Sequence, residues 1–387
     1  MECSRFIRFA AAILLSLLIT GCASLADRMI NRVRIEPPYS PTPEAAAVHQ
    51  QLFVIDLHAD PLLWNRDLLK KASYGHVDLA RLQEGNVAVQ VFGLVTGVPF
   101  PPKKENNPDR RDVIGLLACL QDWPEATHNS RLHRALHQTD KLKERVQASH
   151  GAFKLILNQR DLEELVAARA RGERIIGAML GLEGVHALEG DPANVERLFK
   201  AGVRMLGLLH HFDNAMAGSA HGVNKYGLTD KGRELIQLAL ARDMIIDLAH
   251  ASPQTIDDLL TMVDRPVVFS HGGVRGTCDN ARNLSDHHIR GIADTGGVIG
   301  IGLYPWATCG KTLKDTVRAM RYVADLVGIE HVALGSDFDG AVTTVVDSSG
   351  LVMLTEALLQ EGFSETEIAA IMGSNALRVF RQTLPAE

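Results

Sequence analysis

Five short apolar runs, each ending in a side chain able to bind a metal, constrain this chain most. They read Val54-Ile55-Asp56-Leu57-His58-Ala59-Asp60, Ile175-Ile176-Gly177-Ala178-Met179-Leu180-Gly181-Leu182-Glu183, Met205-Leu206-Gly207-Leu208-Leu209-His210, Met244-Ile245-Ile246-Asp247-Leu248-Ala249-His250 and Pro266-Val267-Val268-Phe269-Ser270-His271. A continuous apolar run is what a strand of a parallel sheet, buried on both faces, requires. A polar residue at its C-terminal end is where a parallel barrel presents its chemistry. Three further runs, 87–95, 297–304 and 332–337, have the same apolar character. Between them lie helix signals: Asp191-Pro192 and Ser252-Pro253 each read as a cap followed by proline in the first turn, and Gly202 sits where a C-terminal cap would. Leu313, Val317, Met320, Ala324 and Val327 fall on one helical face, and Ser364-Glu365-Thr366-Glu367 is a capping box opening a last helix. Eight strand units alternating with helices favour an α/β fold of the (β/α)8, TIM-like barrel type over an open sheet. Residues 97–150 exceed a simple crossover, so Arg111 to Ser149 is read as a helical insertion after strand 2.

The N-terminus is different in kind. Arg5 and Arg8 precede an apolar stretch from Phe9 to Ile19, too short for a convincing membrane span but suited to a signal-peptide core. It ends Ile19-Thr20-Gly21-Cys22, which resembles a bacterial lipobox with Cys22 as the lipidated residue, and Ala23 in place of Asp favours the outer membrane by resemblance to sorting signals. Residues 1–21 are therefore expected to be a lipoprotein signal peptide, 22–45 a tether containing Pro37-Pro38 and Pro41-Thr42-Pro43, and 46–387 the barrel domain. The expected location is the cell envelope, lipid-anchored at the periplasmic face of the outer membrane.

A net charge of -6 with no basic stripe excludes a nucleic-acid partner, and 46% hydrophobic residues excludes disordered and multi-span classes. Cys22, Cys119, Cys278 and Cys309 show no C-x-x-C spacing, so a thiolate metal site is not expected. Cys278 and Cys309 follow consecutive strands, which makes a disulfide between them geometrically conceivable in an oxidising compartment.

His58 and Asp60 stand two apart, so both can face one metal at the end of a strand. Glu183 can bridge two cations, one on each oxygen. His250 and His271 suit Zn²⁺ as neutral imidazoles. Together they supply two sets of three ligands that share one carboxylate, a dinuclear pattern that generates a nucleophilic hydroxide and polarises a carbonyl. Asp337 ends the eighth run in Gly335-Ser336-Asp337-Phe338-Asp339-Gly340 and is positioned for acid/base work; Asp339 would face away. His210 or His211 is placed to contact the carbonyl oxygen, and Arg282 to clamp a carboxylate.

These segments resemble the membrane dipeptidase (renal dipeptidase) family of zinc peptidases, over about Phe53 to Phe380. The resemblance rests on Asp56-Leu57-His58-Ala59-Asp60, Leu182-Glu183-Gly184-Val185-His186, Asp247-Leu248-Ala249-His250-Ala251-Ser252, Phe269-Ser270-His271 and Gly335-Ser336-Asp337-Phe338-Asp339-Gly340. It implies a dinuclear zinc barrel that cleaves dipeptides, with two Zn²⁺ per chain. His58 and Asp60 would bind one ion, His250 and His271 the other, and Glu183 would bridge them. It further implies His210 rather than His211 at the substrate, Arg282 on its carboxylate, Tyr304 near the pocket and Asp337 as acid/base. Ala59, where members often have Asn, and Val185, where many have Gly, depart from the pattern without removing a ligand. Family members are often homodimers, a property carried by resemblance alone. Two other readings stand beside this one. The first is a related dinuclear amidohydrolase acting on lactams or other cyclic or modified amides; the second is a non-catalytic peptide-binding lipoprotein with structural zinc.

Overall fold

The computed structural model describes residues 23–110 and 112–387. The signal segment 1–21 and the lipidation residue Cys22 lie outside the described residues.

Eight parallel strands close into a barrel: β1 (Val54–Ala59), β2 (Val87–Val95), β3 (Ile176–Glu183), β4 (Val203–Gly207), β5 (Ile245–Asp247), β6 (Val268–Phe269), β7 (Val298–Ile301) and β8 (Val332–Leu334). The hydrogen-bonded order is β2-β1-β8-β7-β6-β5-β4-β3, and β3 pairs back onto β2 from Val89↔Gly177 to Val95↔Glu183. Every residue of β1, β2 and β3 is buried, which explains why their sequences are apolar on both faces apart from the buried Asp56, His58, Gln90 and Glu183.

The two sides of each strand separate into two clusters. Ile55, Leu57, Val89, Val91, Met179, Met205, Ile245, Val268, Val298 and Ala333 form one, with at least one side chain from each strand, so it fills the barrel interior. Ala376, Val379 and Phe380 of the last helix, Asn375–Thr383, join this cluster and close one end. Outward residues such as Phe92, Leu180 and Leu206 pack under the helical ring. Alternation along β3 then runs Met179, Gly181, Glu183, so the carboxylate continues the inward row at the C-terminal end.

The insertion after β2 is three helices, Val113–Leu120, Glu125–Asn129 and Arg131–Ala148, rather than one extended run. Trp123-Pro124 and a left-handed Asp122 (φ 56) break it. A short ninth strand, Phe153–Leu155, lies outside β3, a partner the sequence reading did not anticipate. Caps read from sequence are in place at Asp191, Ser252 and Ser364, the last with its complete capping box. Cys278 and Cys309 are disulfide-bonded, which ties the Arg282 loop to the segment after β7.

The segment expected as a tether is docked rather than free. Residues 23–30 are helical, Asp27 and Asn31 are buried, Arg32–Val33 pairs with Thr343–Thr344, and a capped helix already begins at Pro43. Proline content alone does not reveal such docking, because the anchors are single polar side chains. No helix among the described residues is long and apolar enough to cross a membrane.

That helix, Pro43–Gln51, carries a buried neutral histidine. His49 contacts Thr355 Oγ1 through Nδ1 (2.8 Å) and Gly85 O through Nε2 (3.0 Å). Burial lowers its pKa from the usual 6.5 to about 4. Between those values the unfolded chain binds the proton that the folded chain refuses, so stability falls as pH drops from 6.5 towards 4. The His49 share is about 3 kcal/mol. His49→Gln should flatten this part of the stability–pH curve in urea titrations; an unchanged curve would show that His49 does not contribute to it.

Candidate metal centre

The inward ends of β1, β3, β5 and β6 converge on one point. His58 Nε2 lies 3.2 Å from Asp60 Oδ1 and 3.5 Å from Glu183 Oε1. His250 Nε2 and His271 Nε2 lie 3.0 and 3.4 Å from the same Glu183 oxygen and 3.2 Å from each other. His210 Nε2 lies 3.4 Å from Glu183 Oε2. Three donor groups result: His58/Glu183/His271, Glu183/His210/His250 and His58/Asp60/Asp337. Glu183 is common to the first two.

This cluster fits a metal centre. His58 Nε2, Asp60 Oδ1 and Glu183 Oε2 are buried without a hydrogen-bond partner, a costly state for polar atoms in a packed interior. Burial, with Asp60 adding to it, raises the Glu183 pKa well above the usual carboxylate range. Burial opposes protonation of His58, yet Asp60 and Glu183 outweigh it and lift its pKa to about 10. Burial holds His250 and His271 neutral, the form in which imidazole ligates metal. Oxygen and imidazole donors converging in this way fit divalent zinc-type ions. Room for them is built in: a Cβ on Gly93, inward on β2, would fall 2.0 Å from Asp60 Oδ1 and 2.9 Å from His58 Cε1.

Two buried carboxylates aim the site, and sequence reasoning assigned neither. Asp247 accepts from Ser270 N (2.8 Å) and Ser270 Oγ (2.6 Å), and Ser270 Oγ contacts His271 Nδ1 at 2.8 Å. Asp56 holds Ser336 the same way, at 2.8 and 2.6 Å, immediately before Asp337. Each clamp crosses between barrel strands, so the only sequence signal is an Asp inside an otherwise apolar run. Outer partners of this kind set ligand orientation, and Asp247→Ala should weaken metal affinity about 10–100-fold. Competition with a chromogenic chelator measures this; unaltered affinity would remove Asp247 from that role. His250 (φ 64) and Asp337 (φ 62) both adopt left-handed backbone, an uncommon state for non-glycine residues.

A cavity of about 470 Å³ opens above the cluster, lined by Asp60, Glu183, His210, His211, His250, His271, Arg282, Tyr304 and Asp337 on its polar side. Both histidines after β4 therefore reach it. His210 Nδ1 donates to Gly97 O (3.3 Å), leaving Nε2 towards Glu183. Arg282 Nη2 donates to His271 O (2.9 Å), while Nη1 is buried without a partner. Burial pushes the Tyr304 hydroxyl up to about 12, so it stays a protonated donor. Asp339 faces away from the cluster and accepts from His76 N (2.8 Å) and Val77 N (3.1 Å). A larger open groove of about 960 Å³ runs along the insertion and contains none of these donors.

The family model for membrane dipeptidase (peptidase family M19) matches residues 42–386. This chain belongs to the membrane dipeptidase family. Membership makes it a metal-dependent dipeptidase, a hydrolase of peptide bonds. Among curated relatives, dipeptidase tcpJ of Claviceps purpurea is 28% identical over 318 residues, covering 80% of this chain and 69% of that protein. An uncharacterised protein encoded in the pqqA 5' region of Klebsiella pneumoniae is 30% identical over 255 residues, covering 62% of this chain and 92% of its own length. Among solved structures, a metallopeptidase of Rhodobacter sphaeroides liganded with a phosphinate mimic of the dipeptide L-Ala-D-Ala superposes with a TM-score of 0.71 at 23% identity, over 86% of this chain and 99% of that one. The dipeptidase AC superposes with a TM-score of 0.73 at 24% identity, with the same coverage. At these identities the likeness is one of fold, and both share the barrel described above.

Proposed function

We propose that this membrane dipeptidase family member hydrolyses dipeptides with two zinc ions. His58 and Asp60 would hold one, His250 and His271 the other, and Glu183 would bridge them. The observation that carries this reading is Glu183 itself: a buried carboxylate shared by two donor groups, with one oxygen lacking any hydrogen-bond partner. Bound there, such ions lower the pKa of water towards neutrality and polarise a carbonyl.

The protein groups do the rest. Arg282, through its free Nη1, binds the substrate's terminal carboxylate, and Tyr304 flanks it as a hydroxyl donor. Asp337 takes the proton of the attacking water and returns it to the leaving amine. His210 Nε2 faces the cavity beside Glu183, and burial holds its pKa well below the usual value, so it would meet the substrate as a neutral imidazole.

The bound phosphinate of the Rhodobacter sphaeroides relative supports an L,D-dipeptide as one substrate class to test here. The cyclic-amide alternative has less support. The bridging position is a glutamate, and no lysine lines the cavity among the described residues. A structural zinc module is also disfavoured, because a closed structural site has no use for a neighbouring cavity and acid/base group. Lipidation at Cys22, an envelope location and a homodimer are part of the proposal on sequence pattern and family resemblance alone.

Metal analysis by mass spectrometry tests the centre. The expected content is two zinc per chain in the wild type and a clear loss in Glu183→Gln. Full zinc content in Glu183→Gln would contradict the bridging role.

A further inference from the structure

The family match begins at residue 42, so the preceding docked segment is outside it. That segment is latched to the active site. Asp27 Oδ2 pairs with Arg66 Nε at 2.8 Å, and Arg66 Nη2 pairs with Asp339 Oδ1 at 2.7 Å. Asp339 stands two residues after Asp337, and its carbonyl accepts from Trp64 Nε1 at 2.7 Å. Asn31 Nδ2 donates to Asp27 Oδ1 (2.9 Å), and Arg34 N and Ile35 N donate to Thr344 O and Val345 O (both 3.0 Å). Asp27, Asn31, Arg66 and Asp339 are all buried or nearly so, which makes the latch a built contact rather than a surface encounter.

Its inner face reaches the cavity. Ala26 and Ile30 line it together with Leu63, Trp64, Val98, Ile114 and Leu117. This wall is apolar and belongs to the β1 and β2 side of the barrel. Arg282 and Tyr304 follow β6 and β7, and in the closed strand order β6 stands across the barrel from β2. A dipeptide whose carboxylate lies on Arg282 and whose peptide bond lies over the donor cluster therefore extends its N-terminal residue towards the apolar wall.

We propose that residues 23–35 form the outer wall of a subsite for the N-terminal side chain, so that this enzyme selects dipeptides whose first residue is large and apolar. The inference rests on the dipeptidase reading above. Apolar pockets discriminate by contact area, which sets the expected preference at roughly 10–200-fold.

The test is kcat/KM of the zinc-loaded full chain on Gly-Ala, Leu-Ala and Phe-Ala, and on the reversed set Ala-Gly, Ala-Leu and Ala-Phe. Leu-Ala and Phe-Ala should exceed Gly-Ala by about 10–200-fold, with a much flatter reversed series. Ile30 is partly exposed, so Ile30→Asp is compatible with folding, and it should cut the Phe-Ala to Gly-Ala ratio about tenfold. Leu117→Ala provides a second variant that should widen the subsite and raise Phe-Ala relative to Leu-Ala. Cleavage with no dependence on the first residue would overturn the subsite while leaving the dipeptidase reading intact. The expected preference with an unaltered Ile30→Asp ratio would overturn the role of residues 23–35. No cleavage of any member would overturn the dipeptidase reading itself.

Discussion

Asp337→Asn is expected to retain both metals and lose about 10²–10⁴-fold in kcat, the range a positioned acid/base group supplies. The residue follows β8 on left-handed backbone, with its own N–H on His58 O (3.1 Å) and its neighbour Ser336 fixed by Asp56. Its side chain sits in one donor group with His58 and Asp60. Burial pushes its carboxyl up to about 8 even against the opposing charges of His58 and Arg282. These opposed influences bring the group towards the neutral range, where one carboxyl can both accept and return a proton. Asparagine preserves the shape but can do neither. Because Asp337 is not assigned as a ligand, zinc content and KM should change little. A variant of near wild-type kcat would contradict the acid/base role, and one that loses zinc would make Asp337 a ligand instead.

Arg282→Ala should raise KM for dipeptides steeply and leave zinc content unchanged. Truncating one partner of a buried charge pair costs about 2–5 kcal/mol, which corresponds to a factor of about 30 or more in kcat/KM. The guanidinium is 4% exposed, and one of its nitrogens has no partner within the protein. That nitrogen lies at the cavity wall, where an entering carboxylate would meet it. Arg282→Lys should recover a minor part of the loss, because a point charge cannot reproduce the planar fork. A substrate whose terminal carboxylate is amidated should be poor for the wild type and little affected by the substitution. Equal sensitivity of both substrates would show that Arg282 acts through His271, whose carbonyl it also holds, rather than through the carboxylate.

The barrel was legible because its strands are buried on both faces. Ile176–Glu183 is apolar up to the donor that ends it, and Val54–Ala59, though it carries Asp56 and His58, is buried at every position and runs directly into Asp60. Spacing also placed His58, Asp60, Glu183, His250 and His271 at strand ends, and the structure brings these five together. Other features depend on contacts that no local pattern encodes. The clamps Asp56–Ser336 and Asp247–Ser270 join residues from different strands, and nothing near Asp27 in sequence marks Arg66 as its partner. The strand Phe153–Leu155 is too short to carry a period of its own. The left-handed backbone at His250 and Asp337 runs against local preference and is held by the surrounding fold.

The most direct test is hydrolysis of a panel of L,L- and L,D-dipeptides by the zinc-loaded protein, with a chelator-treated control. The account predicts cleavage that disappears on chelation and returns with zinc. Two bound zinc ions without cleavage of any dipeptide, or cleavage that survives complete metal removal, would contradict it.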